Sequence, residues 1–176
     1  MIDVVVRPTA GFSDEELRVL RDLLEGSFGS FTEDDWDHTI GGRHVVIQDD
    51  GVIVAHAAVV PRTLVAGDRP LSAGYVEGVA TRRDRRHRGH AFRAMQKAGG
   101  IIAGEYDLGA LSTGVPELYT PLGWESWQGP TYVQTLDGRM RTAGEDDGVM
   151  VLRTDRTRAI DRTASLTCDW RAGDVW

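Results

Sequence analysis

Apolar residues recur along this chain in two rhythms, and the rhythm changes where glycine, proline or a capping residue interrupts it. Residues 2–7, Ile-Asp-Val-Val-Val-Arg, form a short apolar run closed by Pro8 and read as a strand. Ser13 and Glu16 form a capping box, and Leu17, Leu20, Leu23, Leu24 and Phe28 follow at helical spacing. Thr32 caps a second, short helix through Trp36 to about Ile40, closed by Gly41-Gly42. His44–Ile47 and Val52–Ala55 flank Asp49-Asp50-Gly51, the signature of a hairpin. The second strand stays apolar from His56 to Val65, interrupted only by Pro61-Arg62, and Gly67-Asp68 makes the next turn.

Tyr75–Ala80 reads as another strand, with Glu77 among apolar neighbours. After an arginine-rich loop, a helix is predicted from near Gly89 through Ala91, Met95 and Ile102, weakened by Gly99-Gly100. Asp107–Ser112 reads as a buried strand, and Glu117-Leu118-Tyr119 as a short helix ending at Gly123. Trp124–Val133 and Val149–Leu152 are the last predicted strands, and Arg153–Arg162 is a polar loop. No repeat or linker divides the chain. The expectation is one α/β domain over residues 1–176, a mixed sheet with helices on both faces.

Composition adds constraints. The chain has 176 residues, of which 41% are hydrophobic and 27% charged, the balance of a folded globular protein. No apolar run is long enough to span a bilayer, and the first residues lack the basic and apolar regions of a signal peptide. Cys168 is the single cysteine, so no internal disulfide framework or cysteine-rich zinc site is expected. His38, His44 and His56 show no metal-ligand spacing. A cytoplasmic setting is expected, with neither a metal nor a membrane partner.

The net charge of −7 disfavours nucleic acid as a general partner, yet Arg82, Arg83, Arg85, Arg86 and Arg88 place five cations within seven positions. Acidic runs lie elsewhere, at Glu33-Asp34-Asp35 and Glu145-Asp146-Asp147. A basic loop on an acidic body suits an anionic cofactor together with a cationic substrate. The loop Arg86-His87-Arg88-Gly89-His90-Ala91 lies between a strand and a helix, where free helix N–H groups attract phosphate and Gly89 lets the backbone approach it. It has neither the Gly-Lys-Ser/Thr ending of a P-loop nor a three-glycine dinucleotide fingerprint. A solvated basic turn or a nucleic-acid patch fits the same composition.

In that context Arg86, Gly89 and Ala91 resemble the Gln/Arg-x-x-Gly-x-Gly/Ala signature of the GNAT acetyltransferase superfamily. Four further segments, 31–36, 74–80, 108–112 and 118–124, and the ending Cys168-Asp-Trp-Arg-Ala-Gly-Asp-Val-Trp176, are similar to the aminoglycoside 2′-N-acetyltransferases. The likeness runs from about residue 28 to 176; the arginine-rich loop and the N-terminus depart from the pattern.

The resemblance implies a GNAT fold with a mostly antiparallel, mixed sheet flanked by helices. It also implies direct transfer of acetyl from acetyl-CoA to an amine. Glu77 is the implied base, its pKa raised by apolar surroundings, and Tyr119 the implied acid for the thiolate. The N–H groups of Val79 and Ala80 would hold the thioester carbonyl. Arg85, Arg86, His87, Arg88, Gly89, His90 and Ala91 would hold the diphosphate. Asp35, Glu77, Ser112, Asp146, Asp147, Asp174 and Trp176 would face a polycationic acceptor, an aminoglycoside or another polyamine. Trp170 and Trp176 are expected to anchor the tail by burial, placing the terminal carboxylate in the site. Trp124 and Trp127 read as packing residues and Cys168 as a small core residue. A homodimer is compatible with this scheme. A non-catalytic anion-binding or nucleic-acid-binding protein is the rival class.

Overall fold

A computed structural model describes all residues from Met1 to Trp176. The strands are β1 (Ile2–Pro8), β2 (Arg43–Asp49), β3 (Val52–Ala66), β4 (Arg69–Thr81), β5 (Leu108–Ser112), β6 (Glu125–Ser126), β7 (Thr131–Thr135), β8 (Gly138–Arg141), β9 (Val149–Arg153) and β10 (Leu166–Asp169). The α-helices are α1 (Asp14–Ser27), α2 (Glu33–Thr39) and α3 (His90–Glu105). The chain forms two compact units, Met1–Val60 with Val76–Gly100, and Pro61–Tyr75 with Ile101–Trp176.

In the first unit β1, β2 and the first part of β3 form an antiparallel ladder, with Val5 opposite Val46 and Val46 opposite His56. Both capping boxes form. Ser13 Oγ accepts from the Glu16 amide at 3.3 Å while Glu16 Oε2 accepts from the Ser13 amide at 2.8 Å. Thr32 and Asp35 do the same for α2. The helical spacing of Leu20, Leu23 and Leu24 puts one face of α1 into a core with Phe12, Val46, Ile53 and Ala80. Each such side chain contributes roughly 1.5–3 kcal/mol on burial. α1 ends at Ser27, so Phe28 leaves that face and stacks on Phe31, with centroids 5.9 Å apart.

In the second unit the strands hydrogen-bond in the order β6-β9-β5-β4-β3-β10-β7-β8. β4 and β5 run parallel, as do β10 and β7, while β9 is antiparallel to β5 and β8 to β7. The sheet is therefore mixed. Its core gathers Leu64, Leu71, Tyr75, Leu108, Trp127, Val133, Val151 and Trp176.

Pro61-Arg62 does not interrupt β3. Arg62 is buried and stays paired: Nε donates to Asp169 Oδ1 at 2.9 Å, Nη2 donates to the Asp169 carbonyl at 2.7 Å, and the guanidinium lies 4.7 Å from the centre of the Tyr75 ring. The predicted strand Trp124–Val133 is broken after Ser126. There Trp127 Nε1 donates to the Ala164 carbonyl at 2.9 Å, and the Gly129 backbone lies so close to that carbonyl that a Cβ would sit 1.9 Å away. The hydrophobic pattern does not predict β8 or β10. β10 is only four residues long, and it is held as a strand by partners on both sides, β3 and β7. The expected burial of Trp170 is also wrong: it is 61% exposed, following the end of β10, whereas Trp176 is 3% exposed. One tryptophan anchors the tail, not two.

Two histidines in the first unit, His44 on β2 and His56 on β3, are completely buried. Burial pushes His44 down to about 4 and His56 to about 3, with the neighbouring His44 adding to the second effect.

These features lead to two predictions. Because the folded-state values lie below the ordinary 6.5, the unfolded chain takes up protons first, and stability is lost as pH falls from about 6.5 towards 4. At pH 5 each histidine should cost about 2 kcal/mol relative to neutral pH, with uptake of about two protons on unfolding beyond that of the carboxylates. Calorimetric unfolding in buffers of different ionisation heat reads that uptake. Two glycines should respond oppositely to alanine. A Cβ at Gly109 would meet Leu152 Cβ at 2.9 Å and Trp124 at 3.1 Å, whereas at Gly100, inside α3, it meets nothing within 4 Å. Urea unfolding should show Gly109→Ala losing about 1–3 kcal/mol and Gly100→Ala gaining about 0.4–1 kcal/mol.

Candidate active site

In the first unit the arginine-rich loop leads from β4 into α3. His87 has φ +61° and Gly89 φ +76°, so the backbone twice enters the left-handed region just before the first helical N–H groups. At Gly89 a Cβ would meet nothing within 4 Å, so the dihedral angle, not crowding, favours glycine. A left-handed residue that is not glycine costs energy and is commonly retained at binding sites. Beside this turn lies a groove of about 300 Å3 lined by Val79, Ala80, Thr81, Arg86, His87, Gly89, His90, Ala91 and Phe92, with Ser27 and Phe28 from the end of α1.

The arginines separate into two groups. Arg82 donates to both carboxylate oxygens of Asp84, Arg83 to the Gly26 carbonyl, and Arg85 to Asp49 at 3.1 Å. Arg85, expected at the diphosphate, is thus committed to protein carboxylates. Arg86 lines the groove with one long bond, 3.5 Å, to the Thr81 carbonyl. Arg88 is exposed and outside the lining. His90 lines the groove and is 4% exposed, and neither ring nitrogen has a hydrogen-bond partner. A buried imidazole with both nitrogens unmet is costly unless a ligand or water meets them.

Glu77 is half-buried on β4, next to Gly78, which has φ +58° within the strand. Asp35 is half-buried, and its Oδ2 accepts from the Thr32 amide and hydroxyl, so part of its capacity serves the cap of α2.

The second unit brings Ser112, Asp174 and Glu145 together. The Ser112 hydroxyl donates to Glu145 Oε2 at 3.4 Å, and burial followed by repulsion from Asp174 raises the Glu145 carboxyl above its ordinary pKa. The run Glu145-Asp146-Asp147 presents three adjacent carboxylates, and sequence alone does not single out Glu145. Asp146, expected to meet the acceptor, is engaged within the protein. It accepts from Arg141 Nη1 at 2.7 Å and from the Thr131 amide and hydroxyl, and Arg141 holds it well below the usual carboxylate range. Asp147 is exposed and makes no such bond.

Tyr119 follows a 3-10 turn at Pro116–Leu118 and packs edge-on to Trp124, with centroids 6.4 Å apart. Burial raises its phenol pKa, offset in part by Thr113, so the hydroxyl is protonated at neutral pH. The Trp176 indole is buried in the core, and its Nε1 donates to Thr142 Oγ1 at 2.9 Å. Arg171 ties the tail by donating to the backbone oxygens of Asp174 at 2.7 Å and Trp176 at 3.1 Å. Cys168 donates to the Val175 carbonyl at 3.3 Å, and burial pushes its thiol up to about 11, which suits packing and not nucleophilic chemistry.

The profile of the acetyltransferase (GNAT) domain matches residues 10–127. The aminoglycoside 2′-N-acetyltransferase of Mycolicibacterium fortuitum is 43% identical over 169 residues, which cover 93% of this chain and 87% of that protein. Among solved structures, the GNAT family N-acetyltransferase YhbS from Escherichia coli, in complex with CoA, aligns at a TM-score of 0.67 and 16% identity, over 96% of this chain and 91% of that one. Longer structures also match: Eis1 from Mycobacterium abscessus aligns at a TM-score of 0.61 and 12% identity over 75% of this chain but 33% of its own length. The domain match and the 43% relative together establish that this chain belongs to the GNAT acetyltransferase family.

Proposed function

We propose that the chain works as one domain that transfers acetyl from acetyl-CoA to the 2′-amine of an aminoglycoside, by direct attack while both substrates are bound. The observation that carries the reading is the groove where β4 meets the turn before α3, with two left-handed residues and a buried histidine whose nitrogens lack partners. Residues of the groove suit a coenzyme diphosphate: the first N–H groups of α3 and Arg86 for its charge, and His90 as a polar partner. Bound there, acetyl-CoA supplies the activated acyl group.

Val79 and Ala80 line the same groove, and their amides are the proposed donors for the thioester carbonyl. Glu77, one residue before the left-handed Gly78, is the base that takes the ammonium proton. Tyr119 is the acid that returns a proton to the departing thiolate, and its raised pKa keeps that proton available. For the acceptor, Asp147, Asp174, Glu145 and the half-used Asp35 offer carboxylates to ammonium groups. Asp146 holds Thr131 and Arg141 in place and does not take part. The 2′-aminoglycoside acceptor rests on the 43% relative. A second reading keeps the reaction and changes the acceptor to another small amine or polyamine, which the same carboxylates would also suit. A nucleic-acid-binding role has less support, since three of the five loop arginines are turned onto the protein.

Acetyl-CoA at about 100 times its dissociation constant should stabilise the fold by about 2.7 kcal/mol, a rise of roughly 5–10 °C in melting temperature. An unmoved melt would remove the coenzyme reading. In a thiol-release assay, aminoglycosides bearing a 2′-amine should turn over faster than spermidine, and equal rates would favour the second reading. Arg86→Ala should weaken coenzyme A about tenfold, and Arg82→Ala less than about twofold. Tyr119→Phe should lower kcat by about 100-fold with coenzyme affinity kept; an unchanged kcat would exclude the acid role.

A further inference from the structure

The groove and the carboxylates leave one costly feature of the first unit unused, the buried pair His44 and His56. Their rings lie 5.2 Å apart, and a chain of hydrogen bonds runs through them. His56 Nδ1 lies 2.7 Å from the Gly78 carbonyl, His56 Nε2 lies 2.9 Å from His44 Nδ1, and His44 Nε2 lies 2.8 Å from Thr9 Oγ1. The Gly41 amide donates to the same Thr9 hydroxyl at 2.9 Å.

The Gly78 carbonyl, together with the neutrality of both rings, fixes the direction of every bond. A carbonyl accepts only, so His56 Nδ1 carries a proton. Both rings are held neutral by burial, so His56 Nε2 accepts from His44 Nδ1–H, and His44 Nε2 accepts from Thr9. From the other end, the Gly41 amide donates only. The Thr9 oxygen accepts there and keeps its own proton for the acceptor nitrogen of His44. The tautomers follow from the Gly78 end, and the Thr9 end is compatible with them.

The chain ends on one backbone plane. Gly78 has φ +58°, and a Cβ there would lie 3.2–3.3 Å from Thr39, His56 and Leu24, so the residue is gripped on the side where a side chain would stand. The Gly78 carbonyl and the Val79 N–H belong to a single peptide group. No peptide bond in the chain is cis, so the two point in opposite directions on a rigid plane. Whatever holds the carbonyl therefore aims the amide. A hydrogen bond to the carbonyl oxygen also draws electron density from the nitrogen and strengthens the N–H as a donor, the mutual polarisation expected of bonded chains in a low-dielectric interior.

We infer that Thr9, His44 and His56 form a positioning relay that clamps and polarises the Gly78–Val79 peptide, so that the Val79 N–H is preorganised as the donor to the acyl carbonyl. The inference rests on the reading of Val79 as that donor. His56 is a positioning residue, acting through the backbone and touching no substrate. The relay also explains why two histidines are buried where they lower acid stability: an apolar pair of similar size would leave the Gly78 carbonyl unmet and the plane free to rock.

The test compares His56→Phe, which keeps the volume and removes the donor, with His56→Asn, whose amide nitrogen can stand near the position of Nδ1. Acetyl-CoA affinity and kcat are measured for both and for the wild type. His56→Phe should lower kcat about tenfold or more, less than the loss of a whole oxyanion donor, with acetyl-CoA affinity changed less than about twofold. His56→Asn should recover most of that rate. A folded His56→Phe protein with wild-type kcat would overturn the relay while leaving the acetyltransferase reading intact. A wild type that neither binds acetyl-CoA nor releases thiol with any amine would overturn both. Should His56→Phe not fold, imidazole 15N shifts of the wild type decide the matter. Both histidines should be the Nδ1–H tautomer, and an Nε2–H tautomer at His56 would overturn the inference.

Discussion

The backbone constraint at the entry to α3 is the left-handed conformation of both His87 and Gly89, two residues that line one groove. Glycine accepts this at little cost, whereas at His87 the same conformation is strained. The same device recurs on β4, where left-handed Gly78 reorients one peptide in an otherwise regular strand. Both irregular points belong to the first unit, and Val79 and Gly89 line the same groove.

Charge is distributed by a similar logic. Most cations of the arginine-rich loop are spent on the protein itself. Arg82 and Arg85 are turned to Asp84 and Asp49, which keeps the loop in shape, while Arg86 remains beside the groove. In the second unit Arg141 and Thr131 consume Asp146, so that of three consecutive acidic residues only Glu145 and Asp147 remain for other work. A run of like charges is thus resolved into an anchor and two available carboxylates, and only the three-dimensional contacts tell them apart.

Local signals in the sequence were legible where a short-range interaction decides structure. Both capping boxes, the hairpin at Asp49-Asp50-Gly51 and the helix after Gly89 are each set within a few residues. What sequence left hidden depends on partners far away in the chain. β10 is a strand because β3 and β7 lie on either side of it. The predicted strand from Trp124 breaks because Ala164 occupies the space beside Gly129. Trp170 and Trp176 looked alike as anchors, yet only Trp176 reaches the core. The candidate site was visible as residue types through a family resemblance, but the commitments of Arg85 and Asp146, the Glu145–Ser112 contact and the hydrogen-bond chain through His44 and His56 were not. His44 and His56 looked unremarkable because twelve residues separate them, and their meaning arises only when neighbouring strands bring them together.

The turn before α3 and the adjoining end of β4 are the proposed coenzyme A site. Backbone amide NMR during titration with acetyl-CoA tests it most directly. Saturable shifts should be largest at Val79–Thr81 and His87–Phe92, with Arg82–Arg85 moving little. Saturable binding that leaves those amides unmoved, or no binding at all, would rule out this site.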